Sequence, residues 1–502
     1  MITRRELLKA AAGVSVLSGP SRALGQWVSA PAPSITVRID PTARGEIDRG
    51  AFGVAVPFWK SQPAEETGFV LLKDADVRFL AFDSGMAVDL YDWRTNRLKR
   101  DPQNGRRFMS YEERLQPRYR FETFVAQAKR IGAEMMVYAN YGTGSAEEAA
   151  AWVAHANKEK GYGVRYWEIG QCLWGNGYFK EIGHEPDAHA DKSPAAYARA
   201  ALEFCRAMKR VDPTIKVGVG LAPAFSKRFP ERYADFIRWN ETVLDIAGKE
   251  IDFADVFFYP GPRTQLSDAD MLAAPHENAT DIQLIRRLVA AHETASHKIE
   301  LIMGECNSAS GAHTQQIGQA GALFLADHFM TMYEIGLSRV IWYAMYSGIQ
   351  GGGVRGHGDL GMFASGDCSW HKTAATSNTS AYCQPAAHTP FRTYDGMKML
   401  SRVATPGSQI LQATVDDPMV GVHCVRHDQR TMSILFVNKD PGSTRAVKLD
   451  AARLRVGPEA TVHYYGPASR SVEQWTIDMN RLGERPLVLQ PFSLTALLLR
   501  TT

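Results

Sequence analysis

The stretch VRYWEIGQCLWGNGYF, residues 164–179, is the most informative indication of the fold of this chain. It opens on VRYWEIG (164–170), a short apolar run rich in β-branched and aromatic residues, which is typical of a buried strand. Polar residues, glycines and more aromatic residues follow at once. That change is expected where a buried strand ends at a site.

Six further apolar runs of strand length lie on both sides of this stretch, and amphipathic helical stretches such as SPAAYARAALEFCRAMKRV separate them. The alternation predicts an α/β protein whose parallel strands close into a (β/α)₈ TIM barrel over residues 34–402. A doubly wound open sheet is the weaker alternative, because no glycine-rich phosphate fingerprint follows the first predicted strand. The six runs are VRFLAF (77–82), EMMVYAN (134–140), IKVGVG (215–220), DFADVFFY (252–259), IELIMGE (299–305) and SRVIWYAMY (338–346).

The pattern changes after Pro406. Short strand-like runs such as TMSILFVNKD and PLVLQPFSLTALLLR are separated by turn signals, without a helical period. These features predict an all-β sandwich domain over residues 403–502. The extended segment 34–48, which contains SITVRID, is a candidate to join that domain.

The composition and the amino terminus limit the possible partners. A formal net charge of +3, with acids and bases mixed throughout, carries no electrostatic signature of a nucleic-acid or membrane-surface partner, so a small neutral ligand is favoured.

The amino terminus carries the features of an export signal. The twin-arginine run TRRELLK, the apolar AAAGVSVLSG and the small-residue site ALG predict that residues 1–25 direct export to the periplasm or beyond. An amphipathic first helix is the alternative. No other apolar run is long enough to insert stably in a membrane, and the oligomeric state stays open.

Six cysteines are spread along the chain without a zinc-binding spacing. Cys368 and Cys383 flank a loop rich in Ser, Thr and Asn, and a disulfide between them is expected in an oxidising compartment. The other four are mostly expected to be free and buried. A second pairing, of Cys172 with Cys306, stays open.

The working residues of such a barrel lie where its strands end. Glu305 is the strongest candidate, because it ends the apolar run LIMG and precedes the polar CNSASG. A carboxylate held there could attack an anomeric carbon, and its structural alternative is an ion pair with Arg78 or another base. The strand ends contribute Arg78, Asn140, Tyr141, the stretch from Glu168 to Trp174, Tyr259, Glu305, Asn307, and the stretch from Trp342 to Tyr346.

Cleavage with retention needs a second carboxyl about 5–5.5 Å from the first. Glu168 is the carboxylate of the opening stretch, but it lies two pleats, or roughly 13 Å, deeper in the strand than position 172. We therefore expect Glu168 to be a buried structural acid. A proton donor would stand at position 172, where the chain has Cys172.

Aromatic residues recur near the predicted strand ends. Flat apolar rings beside polar groups suit the faces of sugars, although each ring alone is more often part of a core. The recurrence favours a sugar-binding cleft. The residues are Trp59, Trp93, Trp174, Tyr178, Tyr259, Trp342 and Tyr346.

YWEIGQCLWGN resembles the YWEIGNE-type signature of clan A glycoside hydrolases, most nearly the α-L-arabinofuranosidases of family 51. NYGTGSAEEAAAWVAHAN and IMGECNSASG are similar to further segments of that family, and the likeness covers nearly the whole mature chain. The resemblance implies a barrel with a β-sandwich, retaining hydrolysis of glycans and no metal or cofactor. By position it makes Glu305 the nucleophile and Arg78 a rim base near it. It has the sugar pocket lined by Asn140 and Tyr141, with Gln171, Trp174, Tyr259, Asn307 and Trp342 as further substrate-binding candidates.

The chain departs from that family around one pocket. The family's Asn-Glu pair is Gln171-Cys172, so the acid/base carboxylate is absent from its usual position. Phe257 stands for a histidine, Cys306 stands where an aromatic residue is common, and LAFDSG replaces a Pro-Gly-Gly turn.

Three functions compete. The first is an exported glycosidase, altered or weak, in which Glu181, Glu185 or Cys172 itself donates the proton. The second is a glycan-binding pseudoenzyme that keeps Glu305 and the aromatic rings. The third, ranked last, is thiol chemistry at Cys172 with Cys306 facing it across the pocket.

Overall fold

The computed structural model describes residues 32–501, except 84, 111, 181, 262–265, 312, 350–357, 373–378, 451–455 and 483–484. The predicted export signal lies outside the described residues. Within them, no helix has both the length and the apolar character needed to cross a bilayer.

Eight parallel strands close into a barrel, which confirms the predicted fold class. The last strand closes the barrel by pairing with the first, in the register Val340 to Phe52. The first strand, FGVAVP, was not among the predicted strands, and its six residues are all buried. In chain order the strands are Phe52–Pro57, Phe79–Asp83, Glu134–Ala139, Tyr166–Ile169, Lys216–Leu221, Phe253–Phe258, Glu300–Cys306 and Arg339–Trp342.

Helices surround the barrel, and local signals set where several of them begin. The Ser193 hydroxyl accepts from the Ala196 N–H at 3.2 Å, and Pro194 occupies the first helical position, where its missing N–H costs nothing. The helix Gln319–Ile335 is buried on nearly all sides, because it lies between the barrel and the second domain. The described α-helices are Thr67–Asp74, Phe121–Ile131, Ala146–Val153, Pro194–Val211, Tyr233–Ala247, Asp268–Glu277, Ala279–Ala290, Thr314–Ile317, Gln319–Ile335 and Arg392–Val403.

The second domain is a nine-stranded, mostly antiparallel, sandwich-like sheet. Its first strand comes from the amino-terminal segment, pairing antiparallel with Gln409–Val415 and parallel with Arg445–Asp450. Side chains from most of its strands meet in a core separate from that of the barrel, so the sheet curls around its own interior. The strands are Ser34–Glu46, Gln409–Val415, Val420–Arg426, Thr431–Asn438, Arg445–Asp450, Val456–Tyr465, Glu473–Asp478, Leu487–Leu489 and Ser493–Thr501.

A buried ionic cluster joins the two domains. The Asp327 carboxylate, on the central helix, contacts His423 at 2.9 Å and Lys439 at 2.7 Å from the sheet, and His276 at 2.9 Å from a barrel helix. Burial alone would lower the pKa of His423, but the carboxylates of Glu334 and Asp327 outweigh it and raise the pKa to about 9. The cluster therefore holds a charged histidine at neutral pH.

Two short hairpins complete the described strands. Tyr91–Asp92 pairs with Arg97–Leu98, and Cys368–Lys372 pairs with Thr379–Cys383. The second was expected as a loop, and its tip lies outside the described residues. The predicted disulfide between Cys368 and Cys383 is confirmed.

The amino-terminal end of the barrel is closed by a second ionic network. The nearly buried Arg339 contacts Glu300 at 2.6 Å, Asp48 at 2.8 Å and Glu134 at 3.2 Å. Lys216 pairs with Glu300 at the same end. Each cation here has a carboxylate partner, as a buried charge requires.

Candidate active site

A cavity of about 800 Å³ opens at the other end of the barrel, where the strands finish. Its wall comes from the segments after several strands, so residues distant in sequence meet there. Its size falls within the usual range for small-molecule sites. The residues that line it include Trp59, Gln171, Cys172, Trp174, Glu185, Phe225, Arg228, Phe229, Phe257, Tyr259, Glu305 and Ser310.

Glu305 is the next-to-last residue of the seventh strand and is 8% exposed. The Gln171 amide donates to Oε2 at 3.2 Å, and the Tyr259 hydroxyl donates to Oε1. Two donors, from the ends of the fourth and sixth strands, thus fix the orientation of the carboxylate, as a preorganised site requires.

Asp89 holds the turns that carry Gln171. Its buried carboxylate accepts from the Gln171 N–H at 2.9 Å, and from the N–H groups of Tyr141 and Gly142 at 3.0 and 2.9 Å. Burial raises the pKa of Asp89 to about 7, against the effect of these donors. Asp89 was not among the predicted site residues, although its place in the apolar stretch MAVDLY (86–91) was a usable signal.

Asn140 and Tyr141 do not line the cavity, contrary to expectation. The Asn140 amide donates to the Tyr91 carbonyl at 3.2 Å, and the Tyr141 ring stacks on His189 at 4.4 Å. Their side chains turn away because the chain bends around Asp89 at the strand end. Both residues build the turn beneath the cavity.

Asn307 and Trp342 also face away from the cavity. The Asn307 amide donates to the Tyr343 carbonyl at 2.6 Å, which fastens the segment after the eighth strand. The fully buried Trp342 ring packs between barrel and helices, against Phe324 and Phe329. Of the aromatic residues singled out in the sequence, Trp59, Trp174 and Tyr259 line the cavity, whereas Trp93, Tyr178, Trp342 and Tyr346 do not.

The expected rim position of Arg78 is wrong. The second strand begins at Phe79, so Arg78 precedes it and lies at the amino-terminal end of the barrel. There its guanidinium donates to Asp76 at 2.7 Å. The rim position came from the resemblance to the family, although the predicted run VRFLAF (77–82) already has Arg78 near the start of a strand.

Cys172 lies on the cavity wall in a left-handed conformation, with φ of 51°. The fourth strand ends at Ile169, and Gly170 also has positive φ, so the strand's alternation does not continue to position 172. Burial, with the nearby charges of Glu185 and Glu305, raises the pKa of the Cys172 thiol well above its usual range. The thiol is therefore neutral at physiological pH, and a neutral thiol is a poor nucleophile.

Cys306 does not face Cys172 across the cavity. It is fully buried, and its thiol donates to the Ile341 carbonyl at 3.3 Å. Both thiols are free, so the pairing that the sequence left open does not form. Glu168 is fully buried inside the barrel, as expected for a structural acid.

Glu185 brings a second carboxylate to the cavity wall, and it is 8% exposed. Its N–H donates to the Gly175 carbonyl at 3.0 Å, and its carboxylate lies 3.3 Å from the His184 ring. A Cβ on Gly175 would lie 2.7 Å from that ring, so the close packing of this loop requires glycine there. Glu181, the other acid considered for this loop, lies outside the described residues.

The described residues form a closed α/β barrel with a cavity where its strands end, and they contain no cluster of three or more side chains that could hold a metal. No family model matches the chain. It is 25% identical over 174 residues to the probable α-L-arabinofuranosidase C of Aspergillus clavatus, covering 31% of this chain and 32% of that protein. It is 24% identical over 231 residues to the intracellular exo-α-(1→5)-L-arabinofuranosidase of Acetivibrio thermocellus, covering 42% of each.

The solved structures agree on the fold. The α-L-arabinofuranosidase of Thermotoga maritima, solved with arabinose, superposes with a TM-score of 0.66 at 17% identity, over 93% of this chain and all of that one. The sequence matches span about a third to two fifths of the curated relatives. Together these findings confirm the resemblance to α-L-arabinofuranosidases of the family 51 type.

Proposed function

We propose that the protein is an exported retaining glycosidase that hydrolyses α-L-arabinofuranosides, with Glu305 as its nucleophile. One observation carries the proposal: Glu305 ends a strand on the cavity wall, with Gln171 and Tyr259 donating to its two oxygens. The names of the similar proteins support the sugar, and the twin-arginine run supports export.

In this mechanism a Glu305 oxygen forms a bond to the anomeric carbon as the bond to the leaving oxygen breaks. The leaving oxygen takes a proton from an acid in the cavity, which leaves a glycosyl ester on Glu305. Water deprotonated by the same group then attacks the anomeric carbon and releases Glu305.

Glu185 is the group we assign to this proton transfer. It lines the same cavity as Glu305 and, after burial itself, is the largest influence that raises the pKa of the Cys172 thiol. Cys172 stands at the family's acid/base position, but a thiol whose pKa is raised so far cannot serve as the base of the second step.

A glycan-binding pseudoenzyme is the second candidate. The neutral Cys172 thiol at the acid/base position favours it, and Trp59 and Trp174 would still stack on sugar in the cavity wall.

The test is hydrolysis of 4-nitrophenyl α-L-arabinofuranoside, a substrate whose leaving group needs little acid assistance. Glu305→Ala should lower kcat/KM by at least about 10⁴-fold, and azide should restore turnover as an inverted glycosyl azide. Glu113→Gln, on the exposed surface, is the matched control.

Three outcomes discriminate the candidates. Unchanged activity in Glu305→Ala would exclude this nucleophile. Binding of arabinose-containing oligosaccharides without any turnover would favour the pseudoenzyme. Loss of activity in Cys172→Ala and on alkylation would favour thiol chemistry.

A further inference from the structure

The cavity wall contains an arginine, Arg228, that has no ion pair with a carboxylate among the described residues. Arg228 follows the fifth strand, and its guanidinium donates to the Ser310 hydroxyl at 3.2 Å. It also lies over the Phe229 ring, 5.0 Å from the ring centre. Among the described residues, Ser310 is the hydrogen-bond partner that this cation has.

Arg228 is partly exposed, whereas the two buried arginines of the described residues are neutralised. Arg339 contacts three carboxylates at the closed end of the barrel, and Arg445 contacts Asp417 at 2.5 Å and Asp440 at 2.9 Å. On the cavity wall, Lys60 pairs with Asp367 at 2.6 Å. Arg228 is only partly removed from water, but it lies on a cavity wall without a carboxylate partner among the described residues, so a ligand that enters the cavity can supply the opposite charge.

The surroundings strengthen that argument. Phe225, Phe229 and Phe257 form the apolar wall beside Arg228, and a charge in such surroundings attracts an opposite charge more strongly than in water. Burial lowers the pKa of Arg228 only to about 10, so it stays cationic at neutral pH. A guanidinium has five N–H donors, and Ser310 uses one, which leaves donors for a two-pronged contact with an oxyanion.

We propose that Arg228 forms an anion-recognising subsite beside Glu305, and that the glycan bound here carries an acidic sugar whose carboxylate pairs with the guanidinium. A uronic acid is the favoured ligand, and a sulfate ester offers the same chemistry. Arg228 lines the same cavity as Glu305 and as Tyr259, which donates to Glu305. The inference rests on the proposed function only in assigning the cavity to a sugar.

The experiment measures binding to the Glu305→Gln protein, so that turnover does not interfere. The probes are 4-nitrophenyl β-D-glucuronide, the matched neutral 4-nitrophenyl β-D-glucoside, and the 6-sulfate of that glucoside. We expect the glucuronide to bind about ten- to a hundred-fold more tightly than the glucoside. Arg228→Met should abolish that ratio, Arg228→Lys should keep part of it, and added sodium chloride should reduce it.

Arg232→Met is the matched control, because Arg232 pairs with Asp235 and does not line the cavity. Equal binding of glucuronide and glucoside, or a ratio that survives Arg228→Met, overturns the inference. Should Arg228→Met fail to fold, the Arg228→Lys variant and the salt dependence decide. Tighter binding of the sulfate than of the glucuronide assigns the subsite to sulfated sugars.

The two proposals fail separately. Turnover of the arabinofuranoside with no preference for an acidic sugar keeps the glycosidase and overturns the anion subsite. A preference for the acidic sugar with no turnover of any glycoside does the reverse.

Discussion

The two ends of the barrel differ in how their charged side chains are paired. At the amino-terminal end, Arg339 is enclosed by Glu300, Glu134 and Asp48, and cations and carboxylates are matched. At the carboxyl end, Glu305 accepts from the Gln171 amide and the Tyr259 hydroxyl, and Arg228 donates to the Ser310 hydroxyl without a carboxylate partner among the described residues. The closed end uses its charges for stability, whereas the open end leaves them available to a ligand.

The difference follows from strand direction. Several strands begin with a charged residue that meets its partner across the sheet, as Glu300 meets Lys216 and Arg339. Where the strands end, the chain departs into loops and leaves a cavity, so side chains there face an open volume. Charged side chains at that end can therefore contact a substrate, as we propose for Glu305 and Arg228.

After the loss of the nucleophile Glu305, the largest effect at the open end should come from the proposed acid. Glu185→Gln should lower kcat/KM by about 10²–10⁴-fold on substrates with poor leaving groups, because they need protonation. Nitrophenyl substrates should be affected much less, and azide should restore turnover. Adding Cys172→Glu should recover activity, because it supplies a carboxyl at the family position. A loss that is independent of the leaving group would exclude Glu185 as the proton donor.

Replacing Arg339 at the closed end and Arg228 at the open end tests the comparison directly. Arg339→Met should lower the free energy of unfolding by about 3–5 kcal/mol, because it leaves buried carboxylates without a counter-ion. Arg228→Met should change it by less than about 1 kcal/mol, because no ion pair is lost. Urea denaturation at neutral pH measures both. Equal losses would mean that both ends use their charge for stability.

The cluster between the domains should behave like the closed end and give stability a pH dependence. The pKa of His423 is about 9 when folded and near 6.5 when unfolded, so its contribution is complete below pH 6.5 and is lost as the pH rises through 9. The free energy of unfolding should fall by at most about 3 kcal/mol across that window. Denaturation at several pH values checks this, and His423→Gln should flatten the slope. A slope that persists in the variant would assign the dependence to another group.

The smallest effect should come from one hydrogen bond at the open end. Tyr259→Phe removes a donor to Glu305 and should lower kcat/KM by about 10–100-fold, with little change in stability. Tyr346→Phe is the control, since its hydroxyl contacts His388 outside the cavity wall. Equal effects of the two variants would contradict a specific role for Tyr259.

Sequence patterns were most informative where a residue lies on regular structure. Glu305 ends an apolar run, and the strand carries it to the cavity as predicted. Arg78 was misplaced because its rim position was taken from a family resemblance, whereas its place before Phe79 puts it at the start of the second strand. The prediction that Asn140 lines the cavity was wrong for another reason. The backbone bends around Asp89, and no periodicity in the sequence describes that bend.

By itself the sequence determined the barrel, the sheet domain, the disulfide between Cys368 and Cys383, and the position of a carboxylate and a thiol at two strand ends. Hydrophobic periodicity and strand direction are local properties, and these features depend on little else. Three features follow from the tertiary structure alone. Glu185 lines the cavity, Cys306 turns away from Cys172, and Arg228 has no carboxylate partner among the described residues. Each depends on how loops from different strands fold over one opening, which local patterns do not specify.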